Sequence, residues 1–174
     1  MLERKNAITM NGKPLTLLGS ELKVGSKAPS FTVISQDLKA VDESILAGKT
    51  TIISTVPSLD TPVCDMETRR FNDEAAKLGT NIQIITISMD LPFAQARWCG
   101  AAGIDKVKVF SDFDKASFGI NYGVLIKEMR LLARAIFIVD KNGNIQYIQL
   151  INEITHEPDY AAVLAAVREL AQPA

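Results

Sequence analysis

Two nearly continuous β-branched runs, "KTTIISTV" (Lys49–Val56) and "NIQIITISM" (Asn81–Met89), restrict the possible folds more than any other feature of this chain. Neither alternates apolar with polar residues as a half-exposed strand does, so each reads as a strand buried on both faces. Burying both faces requires covering helices, and the flanking segments supply them. From Thr61-Pro62 a helical pattern runs to about Leu78 and is closed by Gly79. After the second run, "DLPFAQARWCGAAG" reads as a helix that starts at Asp90 to Pro92 and ends near Gly100 or Gly103.

The remaining segments complete a plan. "AITMNGKPLTLLG" holds Asn11-Gly12, a strong hairpin signal, so residues 7–18 read as an N-terminal hairpin appended to the rest. Strands are expected near Phe31–Ser35 and Lys106–Phe110, and a short helix in "DKASFGINYG". "RAIFIVD" and "NIQYIQLI", joined by the Asp140–Asn144 turn, form a hairpin, and "DYAAVLAAVRELA" a closing helix with Tyr160, Val163, Leu164, Val167 and Leu170 at helical spacing. This order predicts an α/β chain with a mixed central sheet flanked by helices, the thioredoxin-like plan, with an N-terminal β-hairpin extension. At 174 residues and 47% apolar, with no internal repeat or linker, residues 1–174 are expected to form a single domain, residues 1–18 being the extension.

Composition removes several function classes. Lys and Arg number 19 against 20 Asp and Glu, so no basic footprint for nucleic acid is present. No apolar run approaches membrane-spanning length and "MLERKNAITM" has no signal-like apolar segment, from which a soluble, cytoplasmic protein without membrane partners is expected. Two cysteines and one histidine are too few for a disulfide framework or a four-ligand zinc site, so no metal is expected. Glycine-rich nucleotide motifs are missing, and no cofactor is expected either.

Chemistry points to "TVPSLDTPVCDMETRRF". With Thr61 as N-cap and Pro62 as N1, Cys64 falls at N3, among the unpaired N–H groups of the first helical turn, where negative charge is favoured. An ordinary thiol, with a pKa of about 8.5, is only a few per cent thiolate at pH 7. A helix N-terminus contributes roughly 0.3–1 kcal/mol, about 2 at most, and one pKa unit is worth about 1.4 kcal/mol. A strongly activated thiolate therefore needs a nearby cation as well. A plainer alternative is burial: Cys64, Thr68, Phe71, Ala75 and Leu78 share one helical stripe, and free cysteine is often a small core residue.

"PSLDTPVC" resembles the peroxidatic loop of peroxiredoxins, P-x-x-x-T-x-x-C. Together with "DLPFAQARWCGAAGI" and "LLARAIFIVD…QYIQLINEIT", the longer string "VPSLDTPVCDMETRRFNDEAAKLG" is similar to the bacterial thiol peroxidases, an atypical two-cysteine peroxiredoxin subfamily. This resemblance implies that Cys64 is the peroxidatic cysteine and Cys99 the resolving one, closing an intramolecular disulfide. It implies that the Thr61 hydroxyl bonds the sulfur and the peroxide, and that Pro57 shields the site from water. Arg134, which interrupts the apolar run "LLARAIFIV", becomes the cation beside Cys64; otherwise it would snorkel outward from an edge strand. Glu67, one turn after Cys64, is positioned to orient that arginine, or else is a solvated helix residue. The subfamily reduces hydrogen peroxide and alkyl hydroperoxides, is recycled by thioredoxin and is commonly homodimeric. Val63, Phe93 and Trp98 are available as an apolar rim, or as plain core. His156 reads as a loop residue, and Arg69 and Arg70 as solvated. Alternative functions are a thiol redox sensor that relays its disulfide to a partner protein, and a binding module with two inert cysteines.

Overall fold

In the computed structural model, which describes residues 1–171, β1 (Glu3–Met10) and β2 (Lys13–Leu18) pair antiparallel across Asn11-Gly12. Asn11 and Gly12 have φ of 50° and 78°, the left-handed geometry that a two-residue hairpin turn requires. β8 (Leu125–Ile126) adds to the β2 edge, giving a small three-stranded sheet. The hairpin begins earlier than residue 7 and is no loose appendage. Ile8, Leu15 and Leu17 are buried in the same apolar cluster as Ile53, Phe118 and Phe137.

The main sheet contains β3 (Thr32–Ile34), β4 (Ala40–Asp42), β5 (Thr50–Thr55), β6 (Ile82–Ser88), β7 (Lys108–Ser111), β9 (Ala135–Val139) and β10 (Ile145–Leu150). Its order is β10-β9-β5-β6-β7-β3-β4, with β5, β6 and β7 mutually parallel in sequence and the other neighbours antiparallel. The helices are α1 (Pro62–Ala75), α2 (Pro92–Ala102), α3 (Ser117–Asn121) and α4 (Tyr160–Ala171). The mixed, helix-flanked sheet with its N-terminal hairpin is the architecture expected from the order of elements.

The two β-branched runs are buried on both faces. Ile52, Ile84, Ile136 and Ile138 join Phe71 of α1, Cys99 of α2, and Val163 and Val167 of α4. Ile53, Ile85, Phe137 and Val139 face the other way, toward α3 and the hairpin. Each fully buried isoleucine contributes roughly 1.5–3 kcal/mol, which is why polar alternation is absent from these runs. The period of two has a further result: Ser54, on the same side of β5 as Ile52, is directed toward α1.

The end of α1 differs from expectation. α1 stops at Ala75, and the chain tightens into i→i+3 bonds from Lys77 to Glu74 and from Leu78 to Ala75 before reaching Gly79. β4, the 3₁₀ turn at Glu43–Leu46 and β8 are too short to carry a readable period. Conversely, α2 ends as anticipated, with Gly103 in the left-handed conformation at φ 69°. Among the described residues no helix is long and apolar enough to cross a membrane.

Candidate active site

β5 delivers the chain to the site and α1 carries it away. Val56 extends the ladder by donating to the Ile87 carbonyl, Pro57 is buried, and the loop turns back through Ser58–Thr61. Asp90, at the β6–α2 junction, fixes this loop by accepting from Ser58 Oγ (2.7 Å) and the Leu59 N–H (2.8 Å). Thr61 has the extended backbone of an N-cap, and its carbonyl accepts from the Asp65 N–H at 2.9 Å. Its hydroxyl, however, neither caps the helix nor bonds sulfur; it donates to the Ser58 carbonyl at 3.0 Å. Cys64 lies at N3 with no exposed surface.

The cation is in place. Arg134, immediately before β9, is 2% exposed and does not snorkel from an edge. Its Nη2 donates to Cys64 Sγ at 3.3 Å and to the Ile154 carbonyl at 2.9 Å, its Nε donates to the same carbonyl at 3.0 Å, and its Nη1 pairs with Glu67 at 2.6 Å. Glu67 is wholly buried, so the solvated reading of that residue fails. Ser54 Oγ donates to its other oxygen at 2.7 Å.

Electrostatics account for this packing. Burial opposes the charge on Arg134, but Glu67 and the Cys64 sulfur outweigh it and raise the guanidinium's pKa, so it stays charged. Burial pushes the Glu67 carboxyl up, and Arg134 and Ser54 pull it back. A guanidinium left unpaired at this depth would cost several kcal/mol, so Glu67, the Ile154 carbonyl and the sulfur form one acceptor set.

Cys99 occupies the last turn of α2, 7% exposed, and its carbonyl closes the helix by accepting from Gly103 and Ile104. Burial raises this thiol's pKa, against a weaker lowering by Gln36 Nε2, which lies 3.5 Å from Sγ. Both cysteines are free thiols within one apolar cluster. Side chains next to each of them join α1 to α2. Trp98 Nε1 donates to Asp65 Oδ1 (3.1 Å), Asp65 Oδ2 accepts from Arg69 Nε (2.9 Å), and Arg69 Nη1 reaches the Ala102 carbonyl (3.3 Å).

A largely apolar cleft of about 260 Å³ opens beside the Cys64 loop, bounded by Leu59, Asp60, Asp90, Ala94 and Trp98. Val63 is half-buried, and Phe93 is 66% exposed, which rules out a core role for that ring. His156 is an exposed loop residue, and Arg70 is exposed over the Tyr160 ring.

Three participants escape motif reasoning. Ser54 is signalled only as one of four hydroxyl residues in β5, and Asp90 only as an acidic residue before a helix. Ile154 acts through its backbone, which no side-chain pattern encodes.

The chain matches the Redoxin family over residues 23–164. It is 53% identical to the thiol peroxidase of Bacillus subtilis (strain 168) across 94% of this chain and 97% of that protein. It is 54% identical to the thiol peroxidase of Oceanobacillus iheyensis across 91% of this chain and 96% of that one. Among solved structures, a peroxiredoxin-like protein from Aquifex aeolicus superposes with a TM-score of 0.89 at 44% identity, covering 95% of this chain and 97% of the other. With the sheet order, the position of Cys64 and these similarities in agreement, the chain belongs to the thiol peroxidases, peroxiredoxin-type enzymes of the Redoxin family.

Proposed function

We propose that this protein reduces hydrogen peroxide and alkyl hydroperoxides through a Cys64 sulfenic acid, resolves it with Cys99 as an intramolecular disulfide, and is recycled by thioredoxin. One observation carries the reading: Arg134 Nη2 lies 3.3 Å from Cys64 Sγ in a fully buried setting. A guanidinium there favours the thiolate, and with four of its five N–H groups engaged it keeps one on Nη1 for a peroxide oxygen.

In the first step the thiolate attacks the terminal peroxide oxygen, the S–O bond forms, and the O–O bond breaks. The leaving oxygen departs as alkoxide or hydroxide and takes a proton, giving alcohol or water. Charge moves from sulfur to that oxygen, and the fixed donors of Arg134 and the helix start stabilise it along the way. Thr61 has committed its proton to Ser58, so its lone pairs serve as acceptors for the peroxide O–H. Buried Pro57 shields the site from water, and the apolar cleft at Leu59 and Trp98 accommodates an alkyl tail.

Resolution requires motion. Cys99 attacks the sulfenic sulfur, the S–S bond forms, and hydroxide leaves as water after protonation. A disulfide needs Cα atoms within about 7 Å, which two intact helices with buried thiols do not readily supply. Unwinding the first turn of α1 and the last turn of α2 exposes Cys99, relieves the burial that raises its pKa, and frees it to attack. The exposed disulfide then exchanges with a thioredoxin dithiol, which supplies two electrons and two protons. We infer further that residues 1–174 act as one domain in the cytoplasm and pair as a homodimer, for which the exposed Leu91 and Phe93 are the supporting feature.

Stopped-flow assays with cumene hydroperoxide, thioredoxin and its reductase test this reading. Cys64→Ser should abolish peroxide consumption, and Cys99→Ser should give one fast turnover and then stall. Full thioredoxin-linked turnover in Cys99→Ser would overturn the resolving role. A single turnover of the wild type, ending in a stable mixed disulfide with another protein, would favour the redox-sensor alternative.

A further inference from the structure

The hairpin turn is remote from Cys64 in sequence, yet an unbroken series of hydrogen bonds connects them. The carboxylate of Glu153, in the loop between β10 and α4, accepts from the Asn11 N–H (2.9 Å), the Gly12 N–H (3.1 Å), Thr9 Oγ1 (2.7 Å) and Thr155 Oγ1 (2.9 Å). Beside it the backbones pair: the Thr9 N–H donates to the Asn152 carbonyl (2.6 Å), and the Ile154 N–H donates to the Thr9 carbonyl (3.0 Å). The Ile154 carbonyl is the group that receives two bonds from Arg134. The guanidinium is thus gripped on two sides. Glu67 grips it from a helix, and the other grip belongs to a loop without regular structure, fixed by its contacts with the hairpin.

We propose that the Asn11-Gly12 turn and Glu153 form a positioning device for Arg134, setting its guanidinium against Cys64 through the Ile154 carbonyl. Glu153 and the turn touch neither sulfur nor peroxide and act only through the loop. The left-handed Asn11-Gly12 pair directs two successive N–H groups at one carboxylate, a ready anion-holding concavity. The Thr9 hydroxyl, with the Gly12 and Asn11 N–H groups, holds the Glu153 carboxyl down at about 2, so the clamp stays charged throughout the neutral range. Without it, residues 152–155 keep only their backbone bonds to Thr9, and the Ile154 carbonyl is held less firmly against Arg134.

The inference rests on the reading of Arg134 as the cation that activates Cys64, and the test separates the two. In a Cys99→Ser background, where Cys64 is the remaining thiol, alkylation of Cys64 is followed against pH and single-turnover peroxide reduction is timed. Glu153→Ala and Gly12→Val, the latter a side chain that the φ of 78° does not tolerate, should raise the pH midpoint of alkylation and slow peroxide reduction roughly tenfold, with Glu153→Gln between. A merely structural role would lower the unfolding midpoint and leave the alkylation profile unmoved. If Arg134→Gln shifts the profile while the folded Glu153 and Gly12 variants stay within twofold of the parent, the positioning role is wrong and the reading of Arg134 stands. If Arg134→Gln leaves the profile unmoved, the activation reading fails first. Should Glu153→Ala not fold, Gly12→Val and Thr9→Val, which removes only a hydroxyl from the clamp, decide the matter by the same criteria.

Discussion

Glu67 shows how much one buried carboxylate decides at the scale of single residues. Without its charge, Arg134 keeps only a carbonyl and a sulfur as acceptors, and breaking a buried pair from one side typically costs about 3–5 kcal/mol. Glu67→Gln is therefore expected to lower unfolding stability by about 3 kcal/mol in urea titrations, and to slow Cys64 with peroxide. A change below about 1 kcal/mol would mean that the Ile154 carbonyl and the Cys64 sulfur suffice. Position and chemistry were unequally legible for these residues. The N3 placement of Cys64 followed from Thr61-Pro62, because proline at N1 fixes the register of a helix start. The need for a cation followed from energetics, but its anchor did not, since Ile154 contributes a carbonyl that any residue could offer. Thr61 stands at the N-cap, where threonine commonly caps through its side chain, but its hydroxyl has a local alternative in the Ser58 carbonyl.

Elements are where the catalytic cycle has to pay its costs. α1 and α2 carry one cysteine each, and the Asp65–Trp98 and Arg69–Ala102 contacts tie the same two helices together. In the proposed disulfide step those ties are expected to release. Trp98 is the sole tryptophan of the chain, so its emission should report that release directly. We expect a fluorescence change on oxidation in wild type but none in Cys99→Ser. We also expect amide exchange near residues 62–65 and 99–103 to accelerate in the oxidised protein. Equal protection in both redox states would rule out unwinding. From the sequence the helices are visible, as is a glycine stop for α2 at Gly100 or Gly103, of which the structure uses Gly103, but the ties between them are not. Side-chain bonds between separate helices leave no periodic trace.

The molecule as a whole carries a pH signature unconnected with the thiols. Asp112 is 1% exposed at the C-terminal end of β7, where it accepts from the Phe118 and Gly119 N–H groups. Burial pushes its pKa up to about 6, partly offset by those N–H groups, against about 3.9 for an unfolded aspartate. Because the folded state binds the proton more tightly, this group stabilises the fold fully below the unfolded pKa and loses that contribution as pH rises through 6. A difference of this size corresponds to roughly 2–3 kcal/mol. Wild type should gain stability from pH 8 to pH 4 relative to Asp112→Asn, measured by denaturant titration; parallel curves would refute the assignment. The overall plan was legible because two doubly buried strands demand flanking helices. The docking of the hairpin was not, because "AITMNGKPLTLLG" encodes a turn but not its partner. That docking bears on how the protein is born. Thr9 leaves the ribosome early, yet Asn152, its bonding partner, follows 143 residues later. At about 5–20 residues per second this is a wait of roughly seven to thirty seconds. Until then the Ile154 carbonyl that receives Arg134 does not exist, so the surroundings proposed for Cys64 are assembled only when nearly the whole chain has been made.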